Sequence, residues 1–157
     1  MIRRGGSEDV RFLRDMLRHA FYWRMNAHRG PDDLPVSRYV DGWGRQGDRA
    51  MIGIEAFQRA GAGWYRLFTA EEPGYGFVDE ETPELAIAVV PSRRGRGLGA
   101  ELLGGLLEQA RADGYHALSL SVAKDNPAVG LYERYEFVRV GESDEAWTMR
   151  ADLTGSS

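Results

Sequence analysis

Three observations predict a single domain of the α+β class, helices and strands mixed around one sheet. The 157 residues are 43% hydrophobic and 11% aromatic, the make-up of a globular chain rather than a solvated or fibrous one. A chain of this size buries roughly 70% of its extended surface, enough for one core spanning residues 1–157. Segments of helical period alternate with short apolar or alternating runs punctuated by glycine and proline.

The elements follow in order. Ser7, Glu8 and Asp9 precede Val10, Phe12, Leu13, Met16, Leu17 and Ala20, which is an N-cap with helix-favourable charge leading into an amphipathic helix. Residues 26–36 carry Gly30, Pro31, Asp32, Asp33 and Pro35 and read as a loop, followed by a short helix over 37–42. Residues 50–57 and 63–69, flanked by glycine-containing turns, read as a β-hairpin. Residues 82–90 form a buried strand that Pro91 ends. A charged glycine loop then opens a helix with Leu102, Leu103, Leu106, Leu107 and Ala110 on one face, closed by Gly114 at C′. Residues 115–123 alternate, Leu118, Leu120 and Val122 facing one way and Ser119 and Ser121 the other. Asn126 and Pro127 take the N-cap and first position of a short helix through Leu131 and Tyr132. Residues 137–140 and 146–149 supply closing strands, and 154–157 a frayed tail.

Charge excludes one class of function. Lys+Arg 20 against Asp+Glu 24 leaves a net charge of -4, so no basic face is available for general nucleic-acid binding. Lys124 is the single lysine and the remaining cations are arginines, which suit forked contacts to phosphate oxygens. With no cysteine, disulfides and thiol nucleophiles are excluded, and His19, His28 and His116 match no zinc spacing, so no metal is expected. The N-terminus carries no apolar run of signal-peptide or membrane-span length, and a cytoplasmic protein with no membrane partner is expected.

The order strand, S-R-R-G-R-G-L-G, helix carries the chemistry. Amides at a helix start point outward unpaired with about half a positive charge, and Gly95, Gly97 and Gly99 lack the β-carbons that would hold a diphosphate off. Arg93, Arg94 and Arg96 add full charges. A Walker loop would need Lys and then Ser or Thr after the last glycine, where Ala100 and Glu101 stand. A dinucleotide fingerprint would lie near the first strand with different glycine spacing.

Arg94, Gly97 and Gly99, following Val89, Val90 and Pro91, resemble the signature of the GNAT superfamily of acyl-CoA-dependent N-acetyltransferases: Arg or Gln, two residues, Gly, one residue, Gly or Ala. Downstream, N-P-A-V-G-L-Y-E-R-Y-E-F is similar to the family's second block. Glu136 departs from it, standing where a glycine commonly precedes the phenylalanine, and a non-glycine residue in a left-handed C-cap costs about 1 kcal/mol. The resemblance is strong over about 84–140, while the N-terminal third matches only in its order of elements.

The resemblance implies a mostly antiparallel sheet flanked by helices and splayed between its fourth and fifth strands, with acetyl-CoA in the splay as cosubstrate. The diphosphate would meet the backbone of Arg94, Gly95, Arg96, Gly97, Leu98, Gly99 and Ala100, and the pantetheine arm would meet Ala88, Val89 and Val90, with Asn126 opposite. Glu84 matches the family's catalytic glutamate as general base, Tyr132 its general acid with Tyr135 a poorer match, and a bulged amide near Val89 would face the oxyanion.

The acceptor is expected to be a primary amine of a small molecule or peptide. Glu71, Glu72, Asp79, Glu80, Glu81 and Glu84, with no cation between Arg66 and Arg93, would draw a cationic one. Tyr22, Trp23, Trp43 and Trp64 fall where family members build the acceptor wall. A homodimer is compatible with the family's habits. Competing readings are a non-catalytic CoA-binding sensor or interaction module, and a nucleotide-binding protein.

Overall fold

The computed structural model describes residues 1–21 and 36–154. The strands are β1 (Ile2–Arg4), β2 (Arg49–Glu55), β3 (Gln58–Arg66), β4 (Glu84–Val89), β5 (Ala117–Ala123), β6 (Val138–Glu142) and β7 (Ala146–Asp152). They form one sheet in the order β1-β2-β3-β4-β5-β7-β6. All neighbours run antiparallel except β4 and β5, which meet as a parallel pair at Glu84 and Ser119 and then diverge. The splay expected between the fourth and fifth strands is therefore present.

Helix α1 (Val10–Ala20) covers one face and α2 (Leu98–Ala112) the other, with the short α3 (Ala128–Arg134) after β5. Leu13, Met16 and Leu17 of α1 pack on Ile52, Ala62, Trp64 and Ala86. Leu102, Leu103, Leu106 and Leu107 of α2 pack on Met51, Leu85 and Leu118, each buried leucine contributing about 2 kcal/mol. Gly63, read as part of a strand start, lets α2 approach: a Cβ there would stand 2.8 Å from Leu106 Cδ1.

Several boundaries differ from the sequence reading for physical reasons. Asp9, not Ser7, organises the first helix: its carboxylate accepts from the Gly6 amide at 2.9 Å, and residues Ser7–Asp9 form a 3-10 turn. The 37–42 helix is a 3-10 turn at Val36–Tyr39. The hairpin reverses at Ala56 and Phe57, both at positive φ (51° and 65°), rather than at a glycine. The strand expected over 82–90 spans Glu84–Val89, and the N-terminal β1 carried too few residues to be legible. Gly114 (φ 86°) closes α2 as expected, and Glu136 (φ 70°) does adopt the left-handed conformation after α3.

Candidate active site

Gly97 is the left-handed N-cap of α2 (φ 83°) and Gly95 is also left-handed (φ 82°), conformations that disfavour any side chain. Gly99 has ordinary helical geometry, and a Cβ at Gly95, Gly97 or Gly99 would meet no protein atom within 4 Å. Neither backbone conformation nor protein packing therefore calls for glycine at 99. The space above the first-turn amides is open, and such a helix start suits an anion. Arg94 donates through Nε to the Val89 carbonyl (3.1 Å), which fixes the side chain at the strand end. Arg93 and Arg96 turn the other way, each with a terminal nitrogen 3.6 Å from Glu55 Oε1.

From this loop a cleft of about 550 Å³ runs down the splay. Its floor is the backbone and side chains of Leu85, Ala86, Ile87, Ala88 and Val89 on β4, facing Leu120, Ser121 and Val122 on β5. One rim carries His19 and Phe21 from the end of α1, the other Asn126, Leu131 and Tyr132. Of the predicted cofactor contacts, Ala88, Val89, Arg94, Gly99 and Asn126 line it. Gly95, Arg96, Gly97 and Ala100 belong to the same loop and helix start without lining it, Leu98 is buried in the core, and the Val90 amide donates to the Ala60 carbonyl at 2.8 Å.

Tyr132 is buried in the cleft wall beside Phe137, and its hydroxyl has no hydrogen-bond partner among the described residues. Burial alone pushes its pKa up, so it stays protonated and can donate. Asn126 Oδ1 accepts from the Ala128 amide at 2.9 Å, pinning the start of α3 with Pro127 as the residue before its first turn.

Glu84 lies at the closed end of the splay, 1% exposed, behind the cleft rather than on its wall. Its Oε2 accepts from the Tyr39 hydroxyl and from the Gly76 amide at 3.0 Å, while Oε1 has no partner among the described residues. Burial raises its pKa from 4.5 to about 7, against the two hydrogen bonds, which pull it down. Tyr39 is the residue that sequence reasoning missed. It stands 45 positions from Glu84, so no local pattern connects them.

The bulge expected near Val89 is absent: β4 keeps continuous register with β3 from Glu84 opposite Arg66 to Val89 opposite Gly61. The β2–β3 irregularity sits at Gly53 and Ile54 instead. Trp64 is wholly buried, its indole donating to the Tyr39 carbonyl at 3.0 Å, so it is core rather than acceptor wall. Trp43 stacks under the Arg66 guanidinium at 5.3 Å. Tyr22, Trp23 and most of the 26–36 loop lie outside the described residues. Glu71, Glu72, Asp79, Glu80 and Glu81 are exposed, and only Glu84 of that acidic stretch is buried. Among the described residues no helix is long and apolar enough to cross a membrane, and no group of three or more His, Asp or Glu is placed to hold a metal.

The family model described as "Acetyltransferase (GNAT) family" matches residues 13–137. An L-methionine sulfoximine/L-methionine sulfone acetyltransferase of Pseudomonas paraeruginosa is 31% identical over 105 residues, 66% of this chain and 59% of that protein. Its counterpart in Pseudomonas aeruginosa is 39% identical over 62 residues, 39% of this chain. The chain thus spans 59% and 36% of the lengths of these relatives. Among solved structures, an N-acetyltransferase of Staphylococcus aureus Mu50 superposes with a TM-score of 0.72 at 21% identity, covering 98% of each chain. A putative acetyltransferase of Salmonella typhimurium, solved with its cofactor acetyl-CoA, superposes at 0.71 and 22% identity over 100% of this chain and 95% of that one.

Proposed function

The chain belongs to the acetyltransferase (GNAT) family, and on that premise we propose that it moves an acetyl group from acetyl-CoA directly to a primary amine. The observation that carries this is the continuity of the cleft, from Arg94 and Gly99 at the start of α2 to Tyr132 at its wall. Anionic phosphates suit the loop end, where amides and Arg94 converge and glycines leave room. The apolar stretch along β4 and β5 suits the acyl-bearing arm, with backbone of Ala88 and Val89 as its hydrogen-bonding edge and Asn126 opposite.

The chemical obstacle is the acceptor's proton. An alkylamine of pKa near 10.4 is about 0.1% neutral near pH 7.4, a handicap of roughly 4 kcal/mol. Glu84, with its pKa raised to about 7, is matched to take that proton at neutral pH. As nitrogen bonds to the thioester carbon and the carbon–sulfur bond breaks, the departing thiolate takes a proton from the Tyr132 hydroxyl, which burial has kept in place.

The acceptor is a small-molecule or peptide amine. The two methionine-derivative acetyltransferases favour an α-amino acid among these, whereas the exposed acidic stretch favours a cation. A thiol-release assay with acetyl-CoA across methionine sulfoximine, methionine sulfone, polyamines and short peptides tests the reading. Turnover with one class is expected, and absence of both turnover and CoA binding at millimolar concentration overturns it. A non-catalytic CoA sensor has one observation in its favour, the enclosure of Glu84. It predicts CoA binding without thiol release for any amine.

A further inference from the structure

The buried ion pairs that brace this fold are close. Asp48 holds Arg66 at 2.7 and 3.0 Å, and Asp9 holds Arg3 at 2.8 and 2.9 Å and Arg59 at 2.8 Å, all within hydrogen-bond distance. Glu55 Oε1 instead lies 3.6 Å from a terminal nitrogen of Arg93 and 3.6 Å from one of Arg96. That is beyond hydrogen-bond reach, and this buried oxygen has no hydrogen-bond partner among the described residues. One carboxylate thus faces two guanidinium groups without the forked bonds that lock such a pair. The backbone around it is built to bring it there. A Cβ at Gly53 would stand 2.7 Å from Leu98 Cδ1, so β2 runs close against the start of α2 and delivers Glu55 beside the loop that opens it. Ala56 and Phe57 follow at positive φ, a costly conformation for residues with side chains, and Phe57 is fully exposed, so core packing does not account for the turn.

The three arginines of the loop are therefore held in two ways. Arg94 is fixed by its hydrogen bond to the Val89 carbonyl, whereas Arg93 and Arg96 share Glu55 and leave a positive charge uncompensated. Resting on the reading of this loop as the seat of the donor's phosphates, we propose that Glu55 is an exchangeable counter-charge that holds Arg93 and Arg96 while the loop is empty, yields them to the phosphates of coenzyme A, and takes them back as the product leaves. A pair without hydrogen bonds exchanges partners at little loss, and a phosphate offers the acceptor oxygens that the Glu55 contact lacks. The carboxylate competes with acetyl-CoA and with CoA alike, so it weakens both complexes and shortens the life of the product complex. Glu55 is a positioning residue in this scheme: it acts on the donor through the two arginines.

The test uses the full chain and CoA itself as the probe, comparing the unaltered protein with Glu55→Gln, with Arg93→Gln/Arg96→Gln and with the triple variant. Calorimetry gives Kd and stopped-flow displacement the dissociation rate, each over a series of salt concentrations. Glu55→Gln is expected to bind CoA about tenfold more tightly, the worth of two partly buried ion pairs, with a matching fall in dissociation rate and a steeper loss of affinity with salt. In the background that lacks both arginines, the same change should gain less than about twofold, since the carboxylate then has nothing to withhold. Unchanged or weaker CoA binding in Glu55→Gln overturns the proposal, the weaker case making the residue a brace for the loop, and both leave the donor site standing. An equal gain with and without the arginines also overturns it. Failure of the unaltered chain to bind CoA at millimolar concentration overturns the donor site and the counter-charge together. Should Glu55→Gln fail to fold, Glu55→Asp, which withdraws the charge by one methylene, is expected to show a smaller gain of the same sign, and its absence overturns the proposal.

Discussion

The Tyr39 hydroxyl donates to Glu84 Oε2 while accepting from the Tyr75 amide at 2.7 Å, so one phenol ties the 36–39 turn and the 74–77 loop to the first residue of β4. The Arg66–Asp48 pair, itself buried, holds the same turn through the Arg38 and Asp41 carbonyls. Glu84 is thus enclosed both by a turn 45 positions away, at Tyr39, and by a loop 8 positions away, at Gly76.

Replacing Tyr39 by Phe removes a bond that favours the ionised carboxylate. The Glu84 pKa, raised to about 7 by burial, should move further up, and the acidic limb of the kcat profile with it. A stability loss of about 1–3 kcal/mol should accompany the change, read by urea unfolding. An unmoved limb would mean that the hydroxyl does not govern the carboxylate.

Two buried carboxylates should give opposite pH dependences of stability. Glu84 binds its proton more tightly folded than unfolded, so its contribution is present below pH 4.5 and is lost as pH rises through about 7. The upper bound is about 3 kcal/mol, and Glu84→Gln should flatten unfolding free energy measured from acid to mildly alkaline pH. Asp9 accepts from Arg3 at 2.8 and 2.9 Å, from Arg59 at 2.8 Å and from the Gly6 amide, which together hold its carboxyl well below the usual range. Its contribution is present above pH 3.8 and is lost in acid, so Asp9→Asn should remove about 1–3 kcal/mol at neutral pH and little at the lowest pH.

Tyr132→Phe keeps the ring against Phe137 and deletes the hydroxyl proposed as the proton donor. A fall in kcat of about a hundredfold or more is expected, with KM for acetyl-CoA nearly constant. An unchanged turnover number would remove the tyrosine from the mechanism.

Gly99→Val separates ligand space from protein packing. A Cβ there meets no atom of another segment within 4 Å, so the unfolding midpoint should stay within a few degrees while KM for acetyl-CoA rises about tenfold. A destabilised variant with normal KM would assign the glycine to packing.

From β4 to α3 the elements were legible because their signals are local. The leucine period of α2, the alternation of β5 and the left-handed positions at Gly114 and Glu136 each lie within a window of a few residues. The glycine loop before α2 was legible for the same reason, since Gly95 and Gly97 need only their own φ to explain them. Hairpin and loop boundaries were less so: Ala56 and Phe57 turn the chain without glycine, and Gly63 serves a helix that approaches it from a distant segment.

Sequence alone determined the strand and helix order around the cleft, the glycine-rich start of α2 and the residue types able to act as acid and base. Only the tertiary structure decided that Glu84 is sealed beneath Tyr39, that Ser119 stands beside it and that Trp64 belongs to the core. Periodicity reports which face of an element is buried, whereas the partner a side chain meets depends on sheet register and loop docking between residues tens of positions apart.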